Sequence, residues 1–162
     1  MNILDLARYV VSQYPFPQEL SKARLNKIIY LIDWKNTLEY GSQMTDIQWK
    51  FNHYGPYVDR IENELRGDSR FKIENTLNIY GSPKNIVSLC EDNNFIDPNA
   101  REKEIIDFII DKTRKLLWND FINLVYSTYP IISQEKGSML DLVVLAKEYK
   151  EILKNRQNTK KD

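Results

Sequence analysis

The hydrophobic positions of this chain recur mainly at the three- and four-residue spacing of amphipathic helices. This spacing predicts helices over residues 2–14, 19–40, 101–128 and 139–153, the third as one long helix or two broken ones that end at Pro130. More apolar residues than one helix face requires occur in the tract 25–34, LNKIIYLIDW. The second helix is therefore predicted to be central, with Gly41 as its C-cap.

A change to period-two alternation at residues 45–53 predicts a β-strand. Pro56 then suits the first position of a short helix that ends at Gly67. Weaker strand patterns at residues 71–79 and 86–90 flank a turn at 81–83, which predicts a hairpin. The early strand and the hairpin are expected to form one small antiparallel sheet.

These elements predict a mainly α (α+β) fold. It is a single-domain helical bundle in which five or so helices surround the central helix, with a small antiparallel β-sheet or hairpin. Residues 1–154 are expected to form the domain and residues 155–162 a flexible C-terminal tail, because the last residues are polar.

The charge balance changes the range of expected partners. The chain of 162 residues carries 23 Lys+Arg against 23 Asp+Glu, which argues against a dedicated binder of duplex DNA. A single cysteine excludes an internal disulfide and a multi-cysteine zinc site, and it favours a reducing compartment. Asp5 and Arg8 precede any apolar run, and no segment is long and apolar enough to span a membrane. We therefore expect a cytoplasmic protein.

Candidate catalytic chemistry is sparse. His53 and Cys90, each the sole residue of its type, lie in predicted strands, so a Cys–His dyad of a cysteine hydrolase is one hypothesis. A cysteine in an apolar strand is more often a small core residue, which is the favoured interpretation. One histidine and one cysteine do not make a transition-metal site, and the five glycines lie singly at element boundaries rather than in a phosphate-binding loop. We predict no catalytic residues, no metal and no cofactor.

Two basic clusters admit two interpretations. Lys22, Arg24 and Lys27 lie at the start of the second helix, and further lysines follow at residues 147–161. Solvated helix faces are the favoured interpretation. The alternative is a nucleic-acid contact in which the hairpin acts as the wing of a winged-helix regulator.

An aromatic tract covers residues 49–57, WKFNHYGPY, and encloses a Gly-Pro turn. A strand-to-helix corner packed by aromatic rings is one interpretation. The other is an exposed aromatic patch preorganised for a partner, because Tyr and Trp provide large contact area at low entropic cost. Tyr30, Asp33 and Trp34 of the central helix are expected near an edge of the core.

The two tracts, in this order and separation, resemble the Panacea domain of SocA-like antitoxins. The matching residues of the first tract are Leu25, Lys27, Ile28 and Tyr30, and those of the second are Trp49, Gly55, Pro56 and Val58. The resemblance extends to the segments around Pro130 and residues 140–142. One departure is Tyr57, which is inserted where many members pass directly from Gly-Pro to Val.

The resemblance implies a bacterial or phage antitoxin that neutralises a toxin encoded beside it, usually by direct binding. Some members instead act as adaptors that deliver the toxin to an AAA+ protease, and no catalytic residues come with the family. The expected partner is thus a cognate toxin protein, with a protease as an alternative and with neither a membrane nor nucleic acid. The partner-binding residues we expect are Tyr30, Asp33, Trp49, Tyr54, Gly55, Pro56 and Tyr57.

Overall fold

The computed structural model describes residues 1–161, which form seven α-helices and five short strands. The helices are α1 Ile3–Gln13, α2 Lys22–Tyr40, α3 Asp59–Arg66, α4 Ala100–Thr113, α5 Trp118–Tyr126, α6 Tyr129–Ser133 and α7 Leu142–Thr159. The strands are β1 Trp49–Asn52, β2 Gly55–Pro56, β3 Phe71–Leu77, β4 Pro83–Leu89 and β5 Met139–Leu140. The predicted mainly α (α+β) class is confirmed.

Helix α2 is central, as its apolar tract predicts. Apart from its first turn and its end, nearly all its side chains are buried, and it packs against α1, α4, α7 and β4. The Ser21 side chain accepts a hydrogen bond from the Arg24 amide at the start, and Gly41 ends the helix with a φ of +77°. The helix begins later than predicted because Pro17–Glu19 form a separate 3-10 turn.

The region 101–128 is two helices rather than one. Helix α4 begins with a capping box between Asn99 and Glu102, and α5 is a separate element that ends at Tyr126. The prediction that Pro130 ends this region is wrong. Pro130 lies in the first turn of α6, where its missing amide hydrogen is not required.

The predicted single sheet is also wrong, because the strands form two sheets. Strand β1 pairs antiparallel with β2 and with β5, whereas β3 and β4 pair only with each other among the named strands of residues 1–161. Met139, expected as the first residue of the last helix, lies in β5 opposite Lys50. The hairpin instead meets the start of α2, where the Val87 amide donates to the Leu20 carbonyl at 3.0 Å.

Pro56 lies in β2 rather than at the first position of a helix. The short strand tolerates a proline because its pairing with β1 places it at a sheet edge. Helix α3 begins at Asp59 instead. At the other end of the chain, α7 continues to Thr159, so helix extends into the predicted tail; Asp162 lies outside the described residues. The division into a domain of residues 1–154 and a tail stays a prediction.

Candidate functional site

The structure divides the predicted partner-binding residues into a buried group and a surface group. Tyr30, Asp33 and Trp49 are completely buried. The prediction that Trp49 is exposed is therefore wrong, as is the prediction that Tyr30 and Asp33 lie near an edge of the core. Tyr54 is 82% exposed and Tyr57 is partly buried. Gly55 and Pro56 are buried between these two tyrosines. Only part of the predicted set therefore offers surface to a partner in this structure.

The buried group is organised around the carboxylate of Asp33. Its oxygens accept hydrogen bonds from the Met44 amide (2.9 Å), the Thr45 amide (2.8 Å), the Thr45 hydroxyl (2.6 Å) and the Trp49 indole N–H (2.9 Å). The Gln43 side-chain amide adds a longer contact of 3.3 Å. We call these five residues the Asp33 cluster. Burial raises the pKa of Asp33, and the hydrogen bonds from Thr45, Trp49 and Met44 partly oppose that shift.

Tyr30 continues this support towards α5 and α6. Its ring packs edge-on against Trp49 with centroids 5.4 Å apart, and its hydroxyl lies 2.8 Å from the Thr128 hydroxyl. Burial raises the pKa of Tyr30, while the hydrogen bond with Thr128 lowers it. The buried group thus fixes β1 on the central helix and so sets the position of the turn that follows β1.

That turn is a tight hairpin with His53 and Tyr54 at its tip, because Asn52 pairs with Gly55 across β1 and β2. Gly55 has a φ of +95°, and a Cβ added to it would lie 3.2 Å from the Tyr126 ring. Both facts favour glycine over any larger residue at this position. The predicted Gly-Pro turn is therefore a corner packed closely against helix α5.

Tyr57 is held from two sides. The Asn26 side chain of α2 donates to the Val58 carbonyl at 2.8 Å and accepts from its amide at 3.4 Å. The Tyr57 hydroxyl donates to Glu62 at 3.4 Å, and Glu62 is itself paired with Lys22 at 2.9 Å. Burial and the nearby carboxylate of Glu62 raise the pKa of Tyr57. The ring is thus positioned before any partner arrives.

The hairpin tip, Tyr57 and helix α5 enclose an open groove of about 730 Å³, which we call the Lys27 groove. Its lining residues are Ala23, Lys27, Asn52, His53, Tyr54, Tyr57, Asp59, Trp118, Ile122, Asn123 and Tyr126. Four of them are Tyr or Trp, the residue types that most often act as anchors in protein interfaces. Tyr54 and Trp118 are exposed, which leaves the aromatic rim accessible from solvent.

Lys27 lies beneath this groove and is only 2% exposed. Among residues 1–161 it has no hydrogen-bond acceptor and no ion-pair partner. The interaction that its ammonium does make is with the face of Tyr57, whose ring centroid lies 5.7 Å from Nζ. Burial lowers the pKa of Lys27 to about 8. An unpaired buried ammonium is costly, so its position at the groove is a candidate binding feature.

The solvated-face interpretation of the first basic cluster is wrong for two of its three members. Arg24 is buried and donates to the Leu116 carbonyl at 3.0 Å and to the Tyr14 hydroxyl at 3.2 Å. It also lies over the Phe121 ring at 4.6 Å. Arg24 therefore joins α2 to α5, and only Lys22 lies at the surface of this cluster.

Sequence reasoning missed most of the groove, including the role of Lys27 and the wall that helix α5 forms. Trp118, Ile122 and Tyr126 project from α5, far along the chain from the aromatic tract. Their spacing of four residues along one helix is a signal of a shared face. Nothing local, however, indicates that this face lies opposite the turn at His53 and Tyr54.

The Cys–His hypothesis finds no support in the placement of its residues. His53 lies at the tip of the β1–β2 hairpin, whereas Cys90 follows β4 in the other sheet and is exposed. The expectation that Cys90 is a small core residue is therefore also wrong. Within residues 1–161, no group of three or more His, Cys, Asp or Glu side chains is arranged to hold a metal ion.

The fold and the groove together define a mainly α protein with an aromatic-lined surface groove. The family model described as "Antitoxin SocA-like, Panacea domain" matches residues 25–130, so the chain belongs to this family. The predicted family resemblance is confirmed, although the segment 140–142 lies beyond the match. Comparisons with curated proteins and with solved structures found no match.

Family membership connects the chain with toxin–antitoxin systems. It implies a toxin as a partner in general terms and a regulatory role. Across residues 1–161, none of the helices has the length and apolar character needed to cross a membrane.

Proposed function

We propose that this chain is an antitoxin that binds its cognate toxin directly and blocks it by occlusion, through the rim of the Lys27 groove. The observation that carries the proposal is the preorganised aromatic rim. Tyr54 projects from a tight hairpin. Tyr57 is held by its hydroxyl, which donates to Glu62. It is also held by the next residue in the chain, Val58, which is hydrogen-bonded to Asn26. A rigid aromatic rim loses little entropy on binding, which favours a protein partner.

Within this proposal the seven predicted site residues have different roles. Tyr54 and Tyr57 contact the toxin, and Gly55 and Pro56 set the corner that presents them. Tyr30, Asp33 and Trp49 lie beneath the surface and support the hairpin without touching the partner. The protein performs no catalysis in this mechanism and acts in the cytoplasm, in agreement with its single free cysteine.

The experiment is co-expression with the product of the neighbouring small gene under an inducible promoter, followed by growth measurement and pull-down. We expect the chain to relieve toxicity and to form a stable complex. Tyr54→Ala and Tyr57→Ala should each weaken the complex at least about tenfold, the usual effect of removing an aromatic anchor. Tyr57→Phe, which keeps the ring and loses only the bond to Glu62, should bind nearly as well as the native chain.

Tyr80→Ala is the matched control, because Tyr80 is 85% exposed at the tip of the other hairpin. Folded Tyr54→Ala and Tyr57→Ala variants that bind normally would show that the groove is not the interface. Relief of toxicity without a complex would instead favour the protease adaptor, which requires protease-dependent loss of the toxin. Salt-sensitive binding of duplex DNA would favour the winged-helix regulator.

A further inference from the structure

We infer that the Lys27 groove receives a carboxylate side chain of the partner protein, an Asp or Glu flanked by an apolar residue, which pairs with the Lys27 ammonium. The inference deepens the proposed function and rests on it, since the partner is the toxin. The inference starts from a contrast: Lys27 is buried, yet among residues 1–161 it has neither a hydrogen-bond acceptor nor an ion-pair partner.

The surroundings of Lys27 favour an anionic ligand. A buried ammonium needs a hydrogen-bond acceptor or a countercharge, and among residues 1–161 the ammonium meets only the face of Tyr57. Asp59 also lines the groove, but no ion pair joins it to Lys27 in the described part of the chain. Asp59 thus does not neutralise the Lys27 ammonium, and the carboxylate of a ligand can supply the missing countercharge.

The charge of the groove indicates a carboxylate rather than a phosphate. Lys27 supplies one positive charge, while Asp59 adds a negative charge among the same lining residues. A phosphate group carries close to two negative charges and is usually held by several cations or by an arginine fork. One lysine beside an acid matches a single carboxylate better. The side chains of Tyr57, Trp118, Ile122 and Tyr126 line the groove and offer apolar contact area to a neighbour of that carboxylate.

The shape of the groove favours a side chain of a protein over a small free acid. Its aromatic rim includes Tyr54 and Trp118, which are both accessible to solvent, and the partly buried Tyr57. An exposed aromatic rim around a largely buried charge has the arrangement of an interface anchor, in which surrounding contacts exclude water from the central pair. A partner that covers the rim would strengthen the pairing with Lys27 by removing the remaining solvent.

The first test does not need the toxin. Protein labelled with 13C at lysine Cε is titrated with 3-phenylpropanoate, with its neutral amide, and with inorganic phosphate. The Lys27 signal is assigned by its loss in Lys27→Met. We expect saturable shifts with the carboxylate and binding at least about tenfold weaker with the amide. Equal binding of carboxylate and amide, or tighter binding of phosphate, would overturn the inference.

The second test uses the toxin from the co-expression experiment. Each acidic residue of the toxin is changed to its amide, and binding is measured against the native chain and Lys27→Met. We expect one position that weakens binding at least about tenfold in the native chain and has little further effect in Lys27→Met. Lys147→Met, on the exposed face of α7, is the control that should bind normally.

The outcomes separate the two proposals. A toxin that binds the native chain and Lys27→Met equally well would overturn the carboxylate inference and leave the antitoxin function intact. A chain that binds 3-phenylpropanoate but no toxin would overturn the proposed function and the assignment of the groove to a protein partner.

Discussion

Two of the buried charged side chains of helix α2, Asp33 and Lys27, have opposite surroundings. The carboxylate of Asp33 accepts four close hydrogen bonds from Met44, Thr45 and Trp49. The ammonium of Lys27 has no such partner among the described residues, and it lies under an open groove. Burial alone therefore does not distinguish a structural charge from one that is available to a ligand. The distinction depends on whether the fold supplies hydrogen-bond partners to the charged group.

The two charges should therefore affect stability with opposite sign. Removing a buried charge whose hydrogen bonds are complete destabilises the fold, because its former donors lose their acceptor. A buried charge without a partner is destabilising while it is present. Mutation of both residues tests whether the comparison is correct.

Asp33→Ala should give the largest effect. The change leaves the Thr45 amide, the Met44 amide and the Trp49 indole N–H buried without an acceptor. We expect the free energy of unfolding to fall by about 3–5 kcal/mol, which is typical of breaking a buried polar network. Urea unfolding followed by tryptophan fluorescence and circular dichroism measures it.

The matched control for Asp33→Ala is Glu104→Ala, which removes an exposed acid from helix α4. That variant should differ from the native chain by no more than about 0.5 kcal/mol. If Asp33→Ala were equally mild, the Asp33 cluster would not be the support that positions β1.

Lys27→Met should stabilise the fold. Burial lowers the pKa of Lys27 from its ordinary 10.5 to about 8, and each tenfold loss of proton affinity corresponds to about 1.4 kcal/mol. The charged form of the folded protein is therefore penalised, and we expect the free energy of unfolding at pH 7 to rise by about 2–3 kcal/mol. A variant that is more stable and yet binds the toxin more weakly would identify Lys27 as a binding residue.

The pH dependence provides an independent check of the same residue. Between pH 8 and 10.5 the unfolded chain holds the Lys27 proton more tightly than the folded chain, because burial lowers the pKa of Lys27. The stability of the native chain should therefore rise with pH across this window relative to Lys27→Met. The other titratable residues that line the groove are His53, Tyr54, Tyr57, Asp59 and Tyr126, and they are present in both proteins. Parallel curves for the two proteins would contradict a lowered pKa for Lys27.

The sequence predicts the elements whose pattern is local. The apolar tract 25–34 identifies the central helix, because its density of apolar residues is readable without knowledge of neighbours. The strands β2 and β5 have two residues each and gain their identity only by pairing with β1. No period can be measured over two residues, so the three-stranded sheet is not predictable from the sequence.

The candidate site shows the same limit in a different form. The motif residues Tyr30 and Trp49 stand out in the sequence, but their burial depends on how β1 lies against α2. The sequence pattern assigns Lys27 to a solvated face, because no neighbouring residue indicates that another element covers it. The elements that cover it are the hairpin tip and α5. Both are distant in the sequence, and only the tertiary structure brings them together over the lysine.

Controls aside, the smallest expected change in the free energy of unfolding is that of Gly55→Ala, at the Gly-Pro corner that follows β1. Gly55→Ala places a methyl group 3.2 Å from the Tyr126 ring at a φ of +95°, whereas Gly137→Ala, at a φ of +89°, meets nothing within 4 Å. Both substitutions strain the backbone by about 1 kcal/mol. We expect Gly55→Ala to lose about 1 kcal/mol more, because the Tyr126 ring must move.

Binding separates this pair of variants more clearly than stability does. Gly55 connects the strand held by the Asp33 cluster to the tyrosines of the groove, so displacement of Tyr126 should weaken 3-phenylpropanoate and toxin binding in Gly55→Ala. Gly137→Ala, with similar backbone strain, should bind as the native chain does. If the two variants lost the same stability and bound equally well, the close approach of Gly55 to Tyr126 would not shape the groove. The Asp33 cluster and the Lys27 groove would then be independent of each other, rather than connected through β1, Gly55 and Tyr126.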